Sequence, residues 1–428
     1  MNITDISAVP VRPREGWGLS RPVIDTRALE QSVAAILEEV RRDGDKAVQK
    51  FTMLFDKASP DPLELSRQDI MAGADRVEEE LKAAIRTAAG HIRAFHAQQQ
   101  HEEPAMETLP GVTCWRKPVA IEKVGLYIPG GTAPLFSTLL MLAIPARLAG
   151  CREIILCSPP DPHGSLHPAI LYAAQLVGVT RIFRVGGVQA IAAMAYGTES
   201  IPAVFKIFGP GNQYVTCAKM LVQRDGVAID MPAGPSEVAV YADETADPAF
   251  VAADLLSQAE HGVDSQVVLV TPLVDVARKV LIAVEEQAAA LPRAEIARKA
   301  LANSRAFVVR DAKQAMDLLN DYAPEHLILA CRNPELPAAA VINAGSVFLG
   351  HYSPESVGDY ASGTNHVLPT NGHARAYSGV SLDSFVKKIT FQQLTREGLA
   401  GIGTAVMLMA EAEGLDAHAR AVAIRLNK

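Results

Sequence analysis

The chain has 428 residues, of which 49% are hydrophobic and 21% charged, with a formal net charge of −8. This is globular composition, long enough for two or more domains, and the lack of a basic stripe excludes nucleic acid as the expected partner. The opening Met1-Asn2-Ile3-Thr4-Asp5 carries an acid and no apolar core, so no signal peptide is expected. The longest apolar stretch, Ala133 to Ala149, is broken by Pro145 and Arg147, which argues against a membrane span. Cys114, Cys151, Cys157, Cys217 and Cys331 are widely spaced and form no Cys-x-x-Cys. Buried thiols in a reducing cytoplasm are expected, with neither a zinc ribbon nor a disulfide framework.

Residues 1 to about 22 contain Pro10, Pro13, Gly16, Gly18 and Pro22 and read as an irregular arm. From Thr26 to Gln100 the pattern is helical, with apolar residues on one face of Arg27–Arg42 and of Val77–Ala97. Short apolar strands then alternate with helices. Strands are expected at Val124–Ile128, Glu153–Cys157, Arg181–Val185 and Val204–Phe208, each followed by a helix. A second set begins after Asp230, with strands at Glu237–Tyr241, Gln266–Thr271, Phe307–Val309, Leu327–Ala330 and Ser346–Leu349. This rhythm predicts α/β architecture with parallel sheets. The central segment, about 121 to 234, can be inserted into the other domain. From about Asp383 the tail reads as helical, with no evident strand, and is too small to bury much surface by itself.

The groups able to do chemistry lie in the second half. Gln258 and His261 are three residues apart near the end of a helix (expected over Pro248–His261) and share a face. A polar helix end explains that pair alone; with Asp359 and His418 they make two nitrogens and two oxygens, a donor set zinc accepts. Glu325 and His326 are adjacent after Pro324, at the entrance to an apolar strand. Neighbours on a strand point to opposite faces, so they serve one site only if the backbone bends there. A His can accept a proton from an alcohol while a carboxylate activates water. Three Gly-rich turns follow strands, at Pro129-Gly130-Gly131, Gly186-Gly187 and Gly209-Pro210-Gly211. They suit backbone approach to a nucleotide, although Gly-x-Gly-x-x-Gly is absent. His91, His96 and His101 read as solvated, Cys151 and Cys157 as core thiols, and Trp115 as packing.

Several long blocks resemble the histidinol dehydrogenase family: Val124–Gly131, Val185–Ala190, Phe208–Asn212, Asp230–Glu237, Ser257–His261, Ala323–Leu327, Gly358-Asp359-Tyr360 and Asn365–Thr370. The resemblance implies a zinc-dependent oxidation of L-histidinol through L-histidinaldehyde to L-histidine with two NAD+. It implies that Glu325 activates water, that His326 is the base for the alcohol, and that Gln258, His261, Asp359 and His418 hold one zinc ion per subunit. Ser236, His326, His366 and Glu413 would serve the substrate, together with the zinc ligands. Tyr127, Gln189 and Asn212 would contact NAD. It further implies two incomplete Rossmann-like parallel-sheet domains with an N-terminal arm (1–22) and a helical C-terminal tail. The substrate and metal domain would comprise 23–120 and 235–380, and the inserted NAD domain 121–234. The tail, 381–428, would complete the partner's site in a homodimer. A paralogue oxidising another small alcohol, or a metal-dependent hydrolase using Glu325 without NAD, are the rival readings. A carboxylate at Glu413 suits a cationic amino alcohol and repels an anionic one.

Overall fold

The computed structural model describes residues 1–8, 21, 26–130, 134–232 and 234–427. Gly131, Ala233 and most of the expected arm lie outside them. Strand β1 (Asn2–Asp5) opens the chain, followed by helices α1 (Thr26–Asp43), α2 (Asp45–Asp56), α3 (Arg67–Asp75) and α4 (Glu79–Ala97). A hairpin of β2 (Met106–Leu109) and β3 (Val112–Ala120) leads into the first alternating set. That set runs β4 (Lys123–Tyr127), α5 (Phe136–Ala149), β5 (Glu153–Ser158), α6 (Pro168–Val177), β6 (Arg181–Arg184), α7 (Gly187–Tyr196), β7 (Lys206–Phe208), α8 (Gln213–Arg224) and β8 (Ala228–Ile229). The second set runs β9 (Glu237–Ala242), α9 (Pro248–Ala259), β10 (Gln266–Thr271), α10 (Val274–Ala290), α11 (Ala294–Ala302), β11 (Arg305–Val308), α12 (Ala312–Tyr322), β12 (His326–Ala330), α13 (Glu335–Ala338), β13 (Ser346–Leu349) and α14 (Glu355–Tyr360). The chain closes with β14 (Val386–Leu394), α15 (Arg396–Ala412) and α16 (Asp416–Leu426).

Two parallel sheets organise these elements. One has the order β6-β5-β4-β7-β8 and the other β1-β11-β10-β9-β12-β13. Their central strands are apolar without alternation because helices cover both faces: every residue of β9 and of β10 is buried. Successive residues still serve opposite faces. In β5, Ile155 and Cys157 pack with α1, α2, α7 and α8, while Ile154 and Leu156 pack with α4, α5 and α6. Helix α5 lies between that sheet and its neighbours, so Ser137 to Ala146 are all buried and the helix is apolar all round.

Three expectations are corrected. Helices α1 to α4 do not join the six-stranded layer, as a 23–120 plus 235–380 unit requires. Val33, Leu37, Val48 and Phe51 pack instead on the five-stranded sheet, and Ile85 and Ile92 pack on its other face. Within the expected arm, Asn2–Asp5 is a strand that extends the six-stranded sheet by pairing with β11. The tail is not wholly helical: β14 pairs antiparallel with β3 along its whole length, and Phe391 stacks on Trp115 at 5.4 Å. Its strand character depends on a partner some 270 residues earlier in the chain, a contact no local pattern reports.

A buried ion pair fixes the turn after β7. The Lys219 ammonium pairs with Asp230 and donates to the Gly209 carbonyl at 2.8 Å, while Asp230 accepts from the Gly209 N–H at 2.8 Å. Gly209 has φ +126°, and a Cβ there would lie 2.0 Å from the Tyr127 carbonyl oxygen. Only glycine allows this approach. Removing one member of such a pair strands the other charge away from water. Lys219→Met is therefore expected to cost about 3–5 kcal/mol in denaturant unfolding; a loss below about 1 kcal/mol would show that the pair is not an internal tie.

Candidate active site

The elements place two edges face to face. In the six-stranded sheet the strand order reverses between β9 and β12, and Glu325 and His326 sit at the amino ends there. In the five-stranded sheet the reversal lies between β4 and β7, whose carboxyl ends carry Tyr127 and the Gly209 turn. The half-buried His366 ring spans the gap. Its Nε2 lies 2.9 Å from Thr138 Oγ1 at the start of α5, and its Nδ1 lies 2.9 Å from the Asp359 carbonyl oxygen on α14. Burial lowers the pKa of His366, so the ring is neutral.

The backbone bend expected at Pro324 is present. Ala323 adopts φ +51°, and Glu325 precedes the first residue of β12. Both side chains therefore reach one site: Glu325 Oε2 is 3.7 Å from His326 Nδ1. The carboxylate of Glu325 accepts the Glu237 backbone N–H at 2.9 Å. Burial raises its pKa to about 8, despite the neighbouring His326. His326 Nδ1 lies 3.1 Å from the Glu237 carbonyl oxygen and 3.2 Å from Gln258 Nε2. Its Nε2 points 3.5 Å from Asp359 Oδ1. Burial opposes charge on His326, but the carboxylates of Glu325, Asp359 and Glu355 outweigh it and raise its pKa to about 10. Asp359 keeps its charge: burial disfavours it, yet the His326 imidazole 3.5 Å away brings its pKa below the usual range. Gly358 lets α14 approach β13, since a Cβ there would be 2.6 Å from Phe348 Cε1.

Gln258 is buried in the last turn of α9, and His261 follows just beyond the helix rather than within it. His261 is exposed as a residue, yet desolvation of its ring lowers its pKa and favours the neutral imidazole, with the Asp359 charge opposing. Asp359 Oδ1 and His326 Nε2 are buried without a hydrogen-bond partner among the described residues. Such atoms are costly unless something else satisfies them. Ser236 leads into β9, one residue before the Glu237 N–H that holds Glu325.

Glu413 and His418 are not brought to this cluster. Both are exposed on the α15–α16 hairpin, which packs on itself and on β14. No hydrogen bond or ion pair among the described residues joins either to the Gln258–Asp359 group. Nor do three His, Cys, Asp or Glu side chains of the described residues form a metal-binding group.

At the facing edge a cavity of about 1470 Å³ is lined by Tyr127, Gly130, Gly187 and Asn212, among others. Glu325 and His326 do not line it. The Tyr127 hydroxyl accepts from the Gly187 N–H at 3.2 Å, and Asn212 caps α8 by accepting from the Tyr214 and Val215 N–H groups. The helix N-termini at Gly187 and Gln213 make this edge suited to phosphate. Gln189 is buried; its amide donates to Asp56 at 3.4 Å and its Oε1 lacks a partner among the described residues.

Some functional candidates were missed in the sequence. Glu355 is buried behind Gln258, and its Oε2 has no partner among the described residues. Its spacing of four from Asp359 on one short helix was the available signal. His96, expected to be solvated, is buried: its Nδ1 lies 3.1 Å from Gln99 and its Nε2 3.4 Å from Asn365.

A carboxylate–imidazole pair with orphaned atoms, set at the junction of two parallel sheets, marks an α/β enzyme. The family model described as histidinol dehydrogenase matches residues 19–426. The histidinol dehydrogenase of Bacteroides thetaiotaomicron is 59% identical over 97% of this chain and 97% of its own. That of Xylella fastidiosa is 55% identical over 95% of each. The crystal structure of histidinol dehydrogenase from Elizabethkingia anophelis superposes with a TM-score of 0.96 at 52% identity, covering 100% of this chain and 98% of that one. The chain belongs to the histidinol dehydrogenase family and is an oxidoreductase. No helix among the described residues is long and apolar enough to cross a membrane.

Burial raises the pKa of Glu355 to about 7, with Asp359 adding to it and His326 opposing. An acid whose folded pKa is raised is penalised once ionised, so its cost to stability appears as pH rises above the unfolded value and is complete above about 7. In metal-free protein, Glu355→Gln should therefore be neutral near pH 4 and stabilising by about 1–3 kcal/mol at pH 8. Unfolding curves of both proteins at the two pH values test this; an unchanged difference would refute the assignment.

Proposed function

We propose that the chain oxidises L-histidinol to L-histidine in two steps through L-histidinaldehyde, using two NAD+ and one zinc ion per subunit. The observation that carries this reading is the orphaned Asp359 Oδ1 beside His326, Gln258 and the neutral His261. Two oxygens and a nitrogen at an anionic point, running from the buried Gln258 to the exposed His261, fit a borderline cation such as zinc, with a further ligand still to come. Gln258, His261 and Asp359 would hold the ion together with the partner subunit's His418. When bound, zinc would orient the amino alcohol and NAD+ would accept hydride in each oxidation.

The chain's own groups do the rest. A cation held at Asp359 would offset part of the carboxylate charge of Glu325, Asp359 and Glu355 that favours the His326 imidazolium, and His326 Nε2 would be the atom to accept the alcohol proton. Burial raises the pKa of Glu325, which makes its ionised carboxylate a stronger base, and in that form it takes a proton from the water that adds to the aldehyde. Ser236 and His366 flank the substrate, and the partner subunit's Glu413 pairs with its amine. Tyr127, Gln189 and Asn212 contact NAD at the carboxyl edge of the five-stranded sheet. Residues 121–234, with α1 to α4 packed on their sheet, form this NAD unit, inserted between β1 and β9 of the six-stranded substrate unit.

A second copy is needed because Glu413 and His418 face away on a hairpin with much exposed apolar surface. Leu408 and Met409 are 62% and 65% exposed. Such a surface is that of an interface.

In the direct test, purified protein with L-histidinol should form two NADH per histidine, lose activity on chelation and regain it with zinc. NADH formation with another alcohol but not histidinol would move the substrate; no NAD reduction with any alcohol would overturn the reading. For the shared site, His418→Ala and Glu325→Gln, each inactive alone, should recover about a quarter of wild-type activity in a 1:1 reassociated mixture, and about half in isolated heterodimers, the statistical expectation for one restored site per heterodimer. Assembled heterodimers that remain inactive would rule out sharing.

A further inference from the structure

Arg21 reaches into the amino edge of the six-stranded sheet from the opposite end of the sequence. Its Nε and Nη2 engage both oxygens of Glu237, the Nη2 contact at 2.9 Å, and Nη2 also donates to the Tyr322 carbonyl at 2.8 Å. The guanidinium lies over the Tyr322 ring, 4.2 Å from its centroid. Glu237 is almost wholly buried, and Arg21 is 19% exposed at its side chain. The Tyr322 hydroxyl donates to Gln266 Oε1 at 3.0 Å, which fixes the ring from its far end.

These two partners are the segments that define where Glu325 stands. Glu237 supplies the backbone N–H held by the Glu325 carboxylate at 2.9 Å. Tyr322 ends α12, and only Ala323, in the left-handed region at φ +51°, and Pro324 separate it from Glu325. A planar fork that grips a carboxylate with two nitrogens and a carbonyl with the same group spans both segments at once. Lysine, with one nitrogen, cannot hold that geometry.

We infer that Arg21 is a positioning residue for Glu325, tying the β9 entrance to the α12–β12 turn so that the carboxylate is held for water activation. This rests on the assignment of water activation to Glu325. Loss of Arg21 would leave Glu237 buried without its cation and free the Tyr322 carbonyl, letting the two segments shift apart. Such a displacement acts on the Glu325 carboxylate through the Glu237 N–H that holds it and through the α12–β12 turn, whereas the His326 ring, whose Nδ1 also meets the Glu237 carbonyl, keeps its backbone in place by β-pairing to Val238 and Ser346.

The test uses zinc-loaded full-length enzyme with Arg21→Ala, Arg21→Lys and Glu325→Gln in parallel. Kcat and KM are measured separately for the alcohol step, by the first burst of NADH, and for oxidation of supplied L-histidinaldehyde. Arg21→Ala should lower kcat of the aldehyde step about tenfold to a hundredfold while leaving the alcohol step and the KM for NAD+ within about threefold. Arg21→Lys should fall between. Should Arg21→Ala fail to fold, the paired neutral variant Arg21→Met with Glu237→Gln removes both charges and should show the same selective loss. Equal loss in both steps, or a lowered Tm with unchanged kcat, would overturn the inference. If Glu325→Gln spares the aldehyde step, the role of Glu325 falls and the inference with it; if Glu325→Gln is selective and the Arg21 variants are not, only the inference falls.

Discussion

The apposition of two sheet edges through the His366 ring is the constraint on which the site depends. One ring nitrogen reaches Thr138 at the carboxyl edge of the five-stranded sheet, and the other reaches the Asp359 carbonyl at the amino edge of the six-stranded sheet. A neutral imidazole can do this because each nitrogen has one polar partner. Ligands in open α/β sheets usually bind at carboxyl ends where strand order reverses. Here the carboxyl edge of the five-stranded sheet, at its own reversal point, faces the amino edge of the six-stranded sheet. A cofactor on the one and a substrate on the other would converge in the gap.

The electrostatics of the amino edge follow from crowding. Glu237, Glu325 and Glu355 are buried there with Asp359 close by, and burial alone pushes the three glutamates toward neutrality. Arg21 balances Glu237, and His326 balances part of the rest. Asp359 Oδ1 and Glu355 Oε2 are left unsatisfied among the described residues. An edge built with surplus buried acceptors is suited to bind positive charge. The proposed ion and the cationic amine of an amino alcohol have the matching charge.

The alternation of strands and helices from Val124 to Leu349 was legible because fully buried strands are short apolar runs bounded by Gly-rich turns. The closeness of Gln258, His261, Glu325, His326 and Asp359 was legible only through resemblance, since their spacing along the chain specifies no geometry. Strand β14 was not legible: its exposed, polar face carries little alternation, and its pairing partner lies far away in sequence. Glu355 and Arg21 were missed for a related reason. A charged residue in sequence reads as solvated, and only burial shows that it is held.

The sequence by itself determined the parallel-sheet class, the family, and the residue types available for acid–base and metal chemistry, because hydrophobic period and long motif blocks are local records. Tertiary structure decided the rest. It turned Glu325 and His326 to one side by a left-handed residue at Ala323, laid α1 to α4 on the five-stranded sheet, and left Glu413 and His418 outside the cluster they are proposed to complete. Each of these depends on which distant surfaces meet, and that is settled by packing, not by local preference.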